Sequence, residues 1–431
     1  MSDPRVAVAL PHWVDPASVF SALFAGEEHA FWLDAGPDAQ SGWSWMGAGA
    51  PDPTGPGAVR LHGGAHALPG GFDGGWVGWL GYEQAAARAG APIAEDPHDV
   101  PQQRWLRTAT FVAFDHGSGR VWTIGTPDEA VRLAESAGSA PAHALPRALP
   151  SPSATASARH TADEYAGLIA HCRAAIREGD AYQLCLTTRF EVPGVHDPLA
   201  AYLRLRAATP AHHGGFIRSG EWALASASPE RFLEVAEGVV RTHPIKGTRP
   251  RGADESTDAA LARELLASEK ERAENVMIVD LMRNDLSKVC RSGTVSVDRL
   301  LEVESYPAVH QLVSAVSGSL RTGVTLDDLL AAAFPAGSMT GAPKLSAMTI
   351  LHRLEASPRG VFAGCFGWVG DGGALDLAMV IRSAVVGPQS AHVGAGGGIT
   401  WHSDPGAEVA EVGVKARGPL AALGAMLPPG W

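Results

Sequence analysis

The pattern of apolar and polar positions changes near residue 135. Before that point, short apolar runs bounded by glycine or proline, such as 75–80, are typical of strands. Eight of the 12 tryptophans lie in this part, and we expect such an aromatic set to form core, with a ligand pocket as the less favoured interpretation. After residue 160, strand-like and helix-like patterns alternate along the chain.

One helix is predicted together with both of its ends. Thr161 is a candidate N-cap, Glu164 completes a capping box, and the helical pattern runs to about Glu178, before Gly179. A strand follows from Tyr182. The other predicted helices cover 256–289, 326–334, 341–356 and the stretch from about 405, and the other predicted strands cover 223–234, as strand–turn–strand, and 374–386.

The order of these elements favours an α+β fold. Strands and helices are interleaved without a regular β–α–β rhythm, which predicts large and mainly antiparallel sheets. Residues 136–160 are rich in alanine, proline and serine and show no periodicity, so we expect a linker there. We therefore expect a tryptophan-rich N-terminal subdomain over 1–135 and a catalytic domain over 161–431.

Charge and composition argue against several classes of function. The 431 residues carry a net charge of −12 with no basic block, which argues against nucleic acid as the main partner. There is no apolar run of about 18 residues and no secretory start, so we expect no membrane span and no export. The cysteines are far apart and form no CxxC, which indicates free thiols in a reducing cytoplasm; they are Cys172, Cys185, Cys290 and Cys365.

Lysine is scarce in this chain, and its positions are informative. Arginine replaces lysine easily on a surface, but not where a compact amine that can lose its proton is needed, so each lysine is a candidate for chemistry. Lys246 lies in Pro244–Gly252, a segment rich in cations and glycine, for which a surface turn remains the alternative. All the lysines lie in the second half of the chain, and they are Lys246, Lys270, Lys288, Lys344 and Lys415.

Two pairs of carboxylates have a spacing that places both members on one face of a helix. They are Glu271 with Glu274 and Glu408 with Glu411, and Lys415 follows four residues after the second pair. If the pairs meet, an all-carboxylate site of this kind favours Mg²⁺. A solvated helix face remains the alternative for either pair alone.

Three further features indicate an anionic ligand. The glycines of 394–400 could turn backbone N–H groups toward an anion, although a glycine hairpin is equally compatible with the pattern. The loop 334–344 combines hydroxyl groups and glycines before a helix. Arg382 lies in an apolar strand, where its guanidinium needs a partner such as a substrate carboxylate.

In order along the chain, these segments resemble the chorismate-utilising enzymes. The motifs that carry the resemblance include Pro-Ile-Lys-Gly-Thr at 244–248 and Ser-Met-Thr-Gly at 338–341, and the match is dense over about 160–420. The resemblance implies an α+β fold like that of anthranilate synthase component I. In that fold, two intertwined subdomains contribute large antiparallel sheets that pack as a sandwich, with helices outside.

The resemblance also implies a cofactor and a set of site residues. Glu274 and Glu411 would ligate Mg²⁺ with support from Glu271 and Glu408, and the metal would hold the ring carboxylate of chorismate. The positions that match substrate-binding residues are Thr248, Ser338, Arg382, Gly396, Gly398 and Lys415.

Two positions distinguish activities within this family. Aminodeoxychorismate synthases carry lysine at the position of Lys246, where anthranilate synthases carry alanine; isochorismate and salicylate synthases carry a water-activating lysine in place of Gln183. The resemblance therefore implies amination of chorismate to 4-amino-4-deoxychorismate, toward para-aminobenzoate and folate. Lys246 would attack carbon 2 while Glu230 assists loss of the hydroxyl at carbon 4, and ammonia entering at carbon 4 would then expel the lysine.

Several positions depart from the family pattern, and two alternatives stay open. Phe362 replaces a usual tyrosine, Cys185 an asparagine, and Ala35 the serine of a tryptophan-binding motif, while Gln311 stands where anthranilate synthases have a histidine. The alternatives are anthranilate synthase component I and a non-catalytic chorismate-binding subunit.

The ammonia for such a reaction needs a source. A glutaminase domain carries a Gly-x-Cys-x-Gly turn at its nucleophile, and no cysteine of this chain lies in one. We therefore expect a separate glutamine amidotransferase as partner, with free ammonium as a substitute in vitro.

Overall fold

Helices and strands follow one another throughout the part of the chain that the structure describes. This computed structural model describes residues 4–62, 68–97, 99–142, 154–306 and 309–431. Its helices are α1 (Pro16–Leu23), α2 (Tyr82–Arg88), α3 (Pro127–Gly138), α4 (Ala162–Glu178), α5 (Pro198–Ala208), α6 (Glu255–Ala267), α7 (Glu269–Ser287), α8 (Leu326–Ala333), α9 (Lys344–Glu355) and α10 (Pro405–Ala422), with a 3₁₀ turn at Gly337–Met339.

The strands are β1 (Val6–Ala9), β2 (His29–Asp34), β3 (Trp43–Ala48), β4 (Ala50–Pro51), β5 (Gly75–Leu80), β6 (Gln103–Thr108), β7 (Phe111–Asp115), β8 (Arg120–Gly125), β9 (Ala154–Thr155), β10 (Ser157–Ala158), β11 (Gln183–Pro193), β12 (His213–Ser219), β13 (Trp222–Ser228), β14 (Arg231–Ala236), β15 (Val239–Thr242), β16 (Ile245–Pro250), β17 (Ser296–Ser305), β18 (Val309–Ser319), β19 (Gly341–Ala342), β20 (Cys365–Gly370), β21 (Leu375–Met379), β22 (Ser383–Val386), β23 (Ser390–Ile399) and β24 (Ala425–Met426).

Most of these strands belong to two large antiparallel sheets. The first sheet has the order β1-β8-β7-β3-β2-β12-β13-β22-β23-β11-β10, and β19 also pairs with β11. The second has the order β16-β18-β15-β14-β21-β20-β5-β6-β4, and β17 also pairs with β18.

Each sheet combines strands from the beginning and the end of the chain. In the first sheet β2 pairs with β12, so that Trp32 lies opposite Phe216, and in the second β5 pairs with β20. The predicted α+β fold with intertwined antiparallel sheets is therefore confirmed. The division into 1–135, 136–160 and 161–431 stays a prediction, and residues 143–153 of the predicted linker lie outside the described residues.

The two sheets pack face to face, and helices cover their outer faces. Phe31 and Trp45 from the first sheet share one buried cluster with Trp79 and Trp368 from the second, and the ring centroids of Trp45 and Trp368 are 5.7 Å apart. This burial agrees with the prediction that the tryptophans form core. Helices α4, α9 and α10 pack on the first sheet, and α7 packs on the second.

Local sequence signals predicted some helix ends correctly and missed others. Helix α4 has the predicted capping box between Thr161 and Glu164 and ends at Gly179, whose φ is +88°. The single helix predicted over 256–289 is wrong, because the chain breaks at Ser268 into α6 and α7. The Ser268 hydroxyl caps α7 by accepting a hydrogen bond from the backbone N–H of Glu271.

The continuous strand predicted over 374–386 is also wrong. Strand β21 belongs to the second sheet and β22 to the first, so the chain crosses between the sheets within a few residues. The crossing occurs at Arg382, whose φ is +53°, a left-handed conformation that no regular strand contains. The apolar composition gave no sign of the break, since both halves are buried.

Two further observations concern the cysteines and the helices of the described residues. All four cysteines are buried and free of disulfides. Among the helices of the described residues, none is both long and apolar enough to span a membrane.

Candidate active site

A cavity of about 520 Å³ opens where β16, β23, α7 and α10 converge. The structure brings every site residue predicted from the sequence to the wall of this one cavity. These residues are Glu230, Lys246, Thr248, Glu271, Glu274, Ser338, Arg382, Gly396, Gly398, Glu408, Glu411 and Lys415.

Lys246 projects from β16 at the edge of the second sheet. The pairing of β16 with β18 shifts register between Ile245 and Thr248, where Gly247 has a φ of +80°. A Cβ atom at Gly247 would lie 2.9 Å from the Glu271 side chain and closer still to Leu265. Glycine is therefore required for α6 and α7 to approach this strand.

The Lys246 ammonium and the Glu230 carboxyl occupy different environments in this cavity. Nζ of Lys246 lies 3.8 Å from Oε2 of Glu274. Glu230 is partly buried in the turn before β14, and its Oε1 accepts a hydrogen bond from the Ser338 hydroxyl at 3.1 Å. Burial raises the pKa of Glu230 to about 7, although the nearby Lys246 charge opposes that rise. This carboxyl can therefore gain or lose a proton near neutral pH.

The two predicted carboxylate pairs meet across the cavity. Lys270 on α7 reaches Glu408 on α10, with Nζ 3.4 Å from Oε1, and Nζ of Lys415 lies 2.7 Å from Oε1 of Glu411. Burial raises the pKa of Glu411, but the charge and hydrogen bond of Lys415 outweigh it, and the net shift is downward. Glu274 and Glu408 are thus buried near lysines, whereas the Glu411 side chain is 47% exposed beside Lys415.

Glu274 has an unsatisfied oxygen. Its Oε1 is buried without a hydrogen-bond partner among the described residues. Burial, and to a lesser degree the charges of Glu271 and Glu408, raise the pKa of Glu274. A hard divalent cation would supply the missing partner, since carboxylate oxygens are its preferred ligands. In the described residues, however, no group of three or more His, Cys, Asp or Glu side chains is close enough to hold a metal as the side chains stand.

The cavity wall also contains an arginine without an ion pair. Arg382 is partly buried, and burial lowers the pKa of its guanidinium, although the charge of Glu411 opposes that shift. Its side chain forms no hydrogen bond and no ion pair within the described residues. Its left-handed backbone turns the chain between the sheets at the cavity wall. A planar guanidinium in this position is suited to a ligand carboxylate.

Most of the glycine-rich stretch 394–400 lies in one strand, so the hairpin alternative is wrong. Residues 394–399 belong to β23, and each pairs with a residue of β11. Side chains would not fit here: a Cβ atom at Gly398 would lie 2.5 Å from Nε2 of Gln183, and one at Gly394 would overlap Phe362. The pairing of β23 with β22 ends at Val393, so beyond this residue the strand also lines the cavity.

The positions that depart from the family pattern also lie at this site. Cys185, Gln311 and Phe362 line the cavity. Gln183 is fully buried beside Gly398, and neither polar atom of its side chain has a hydrogen-bond partner among the described residues. Ala35 lies elsewhere, at the end of β2, where its N–H donates to the Ser44 hydroxyl.

Two contributors to the site were not predicted as site residues. Lys270 lines the cavity, and its signal was the scarcity of lysine. Arg359 is buried behind the wall, where its guanidinium binds Glu355 and donates to the carbonyls of Met339 and Cys185. Glu355 lies only four residues before this arginine, but the carbonyls of Met339 and Cys185 come from other segments, so the sequence did not mark Arg359 as part of the site.

Comparison with known proteins places this site in a family. The family model described as chorismate binding enzyme matches residues 19–421, and the chain belongs to this family. An aminodeoxychorismate synthase of Streptomyces pristinaespiralis is 39% identical over 465 residues, which cover 95% of this chain and 64% of that protein. The chain thus spans 64% of the length of this relative.

Anthranilate synthases are also similar. Anthranilate synthase component 1 of Streptomyces coelicolor is 38% identical over 442 residues, covering 95% of this chain and 86% of that protein. The crystal structure of anthranilate synthase component I from Streptococcus pneumoniae TIGR4 superposes with a TM-score of 0.73 at 27% identity, covering 96% of this chain and 92% of that one. The predicted fold is therefore confirmed by a solved structure.

Proposed function

We propose that this chain aminates chorismate to 4-amino-4-deoxychorismate, as the chorismate-binding part of an aminodeoxychorismate synthase. The observation that carries the proposal is the cavity in which Lys246 and Glu230 share a wall with two carboxylate pairs and Arg382. The relative from Streptomyces pristinaespiralis that bears this enzyme name supports it.

In this proposal Lys246 is the nucleophile and Glu230 the general acid. The neutral amine of Lys246 attacks carbon 2 of chorismate, the ring double bonds shift, and the carbon 4 hydroxyl leaves with a proton from Glu230. Ammonia then attacks carbon 4, the double bonds shift back, and the bond between carbon 2 and Lys246 breaks. A pKa of about 7 lets Glu230 donate this proton near neutral pH, and the Ser338 hydroxyl fixes its position.

The remaining residues of the cavity hold the substrate. Arg382, whose side chain forms no ion pair within the described residues, pairs with a substrate carboxylate. Thr248, Ser338 and the backbone of Gly396 and Gly398 provide hydrogen bonds along the cavity wall. Lys415 bonds to Glu411 and to the carbonyl of Gly396, and it keeps this wall in place.

Magnesium is part of the proposal. Glu274 and Glu411 would hold Mg²⁺, with Glu271 and Glu408 in support directly or through water, and the unpartnered Oε1 of Glu274 fits that role. When bound, the ion would neutralise the ring carboxylate of chorismate and the charges that these glutamates place in the cavity. Ammonia would come from a separate glutamine amidotransferase. Free thiols throughout support a reducing, cytoplasmic setting.

Anthranilate synthesis is the second candidate, favoured by the similarity to the Streptomyces coelicolor and Streptococcus pneumoniae proteins. The test is to incubate the chain with chorismate, Mg²⁺ and ammonium and to identify the product by liquid chromatography with mass detection. An aminated chorismate that keeps its enolpyruvyl group supports the proposal. Anthranilate would assign the chain to the second candidate. No turnover, even with an amidotransferase added, would indicate a chorismate-binding subunit.

A further inference from the structure

The turn that carries Glu230 lies against a histidine outside the cavity. Strand β13 ends at Ser228, which pairs with His213 at the start of β12, so His212 lies beside the turn. This pairing places His212 next to Pro229, the residue before Glu230. Burial lowers the pKa of His212 to about 4, so its ring is neutral at pH 7 and can donate through one nitrogen.

One face of the His212 ring is covered by an aromatic side chain. It stacks on the Tyr306 ring with centroids 4.3 Å apart and an interplanar angle of 4°. The Tyr306 hydroxyl donates to Oε2 of Glu304 at 2.5 Å, and Arg299 holds the other oxygen of that carboxylate. The imidazole is therefore fixed between the Glu230 turn and an anchored aromatic ring.

Tyr306 connects this arrangement to the segment that carries Lys246. Its carbonyl accepts a hydrogen bond from Nη1 of Arg251 at 2.8 Å, and Arg251 also bonds to Asp258 at the start of α6. Strand β16, with Lys246, ends directly before Arg251. The stack thus joins the two segments that bear the nucleophile and the acid of the proposed reaction.

We propose that His212, stacked on Tyr306, is a positioning residue that sets the Glu230 carboxyl relative to Lys246. This inference rests on the proposed function, because it assigns His212 an effect only through the proton transfer by Glu230. The stack does not line the substrate cavity, so its loss changes turnover and leaves substrate binding intact. A displacement of the acid by about 1 Å is enough to reduce turnover by up to about 100-fold.

The experiment measures kcat and KM for chorismate with His212→Ala and His212→Phe, where phenylalanine keeps an aromatic ring that can stack on Tyr306. His171→Ala removes an exposed histidine of α4 that bonds to its own helix, and it serves as the matched control. We expect kcat of His212→Ala to fall by roughly 10- to 100-fold with KM within about twofold, and His212→Phe to recover most of the loss.

A double-mutant cycle with Glu230→Gln separates positioning from general damage. If His212 acts through Glu230, the histidine change has no further effect once the carboxyl is gone. An unchanged kcat in His212→Ala, a loss expressed in KM, or losses that multiply with Glu230→Gln would overturn the inference. If His212→Ala does not fold, Tyr306→Leu removes the stack from the other side and is judged by the same criteria. Wild-type protein that forms no aminated product would refute the proposed function itself, a result distinct from these.

Discussion

Two buried acid–base groups in this molecule are built in opposite ways. In the first sheet Oδ2 of Asp34 accepts hydrogen bonds from Nε of Arg206 at 2.6 Å and from the Tyr202 hydroxyl at 3.0 Å, and these interactions outweigh burial and lower the pKa of Asp34. In the cavity Nζ of Lys246 lies 3.8 Å from Oε2 of Glu274, and burial raises the pKa of Glu274.

The difference separates a structural network from a ligand site. Around Asp34 the protein supplies the partners, and the Arg206 guanidinium also lies over the Trp32 ring at 4.8 Å, so little is left for a ligand to bind. Glu274 and Arg382 line open volume, and Oε1 of Glu274 is buried without a hydrogen-bond partner among the described residues. Unpaired groups of this kind cost stability, and a bound ligand that pairs with them recovers it.

The largest effect is expected at Lys246. Lys246→Ala removes the proposed nucleophile, and we expect formation of the aminated product to fall by roughly 1,000-fold or more. Product is measured by mass detection under the conditions used for the wild type. Lys288→Ala is the matched control, because Lys288 pairs with Asp285 and does not line the cavity. Equal losses in both variants would contradict a special role for Lys246.

The next effect concerns the stability that Asp34 contributes through its hydrogen bonds with Arg206 and Tyr202. Asp34→Asn leaves Arg206 buried without its counter-charge, and we expect the free energy of unfolding to fall by about 3–5 kcal/mol. Because the pKa of Asp34 is lowered, its contribution is present above about pH 4 and is lost on acidification, so the variant and wild type converge in acid. Urea unfolding at several pH values measures both. For comparison, Asp280→Asn breaks an exposed pair with Arg283 and should cost less than about 1 kcal/mol.

A smaller effect is expected from the proton on Glu230. A general acid works only when protonated, so the rate of hydroxyl loss should decline as pH rises through about 7. Single-turnover reactions with chorismate and Mg²⁺ but no ammonium measure this step without the titration of ammonia. Glu230→Gln should lower the rate by roughly 100-fold and abolish this limb of the pH profile. If the rate of Glu230→Gln still declines as pH rises through about 7, the group that titrates is not Glu230.

The smallest effect on stability is expected at Glu274, which lines the open cavity. Glu274→Gln removes a carboxyl group whose pKa is raised, which shows that its ionised form is disfavoured in the fold. After the change, Lys246 keeps access to water in the cavity. The free energy of unfolding should therefore change by less than about 1 kcal/mol, whereas Mg²⁺ binding, measured by calorimetry with chorismate present, should weaken at least tenfold. A loss of stability as large as that of Asp34→Asn would show that Glu274 is structural.

Sequence patterns predicted those parts of the site that depend on local spacing. The two residues of the α4 capping box stand three positions apart in the sequence, and so do the two members of each carboxylate pair. Helical geometry places both members of a carboxylate pair on one face. The proposed role of Lys246 rests on the scarcity of lysine and on the family motif. Which groups face one another across the cavity depends on contacts between distant segments, such as that of Lys270 with Glu408, and no local pattern encodes these.

The errors arose where tertiary contacts override the local pattern. Ser268 interrupts a helical pattern because its hydroxyl caps α7, and Arg382 interrupts an apolar run because the chain changes sheets there. The strand from Gly394 onward is rich in glycine because Phe362 and Gln183 leave no room for side chains there. Glycine has little preference for strands, so the need for close approach is visible only in the folded structure.

The most direct test of the account is to look for the covalent bond to Lys246. The chain is incubated with chorismate and Mg²⁺ in the absence of ammonium, the reaction is quenched, and peptides are mapped by mass spectrometry. The account predicts an added mass of chorismate minus water on the peptide that contains Lys246, which disappears when ammonium is supplied. Turnover to the aminated product without any adduct at Lys246, or with the adduct at Lys270 or Lys415, would contradict it.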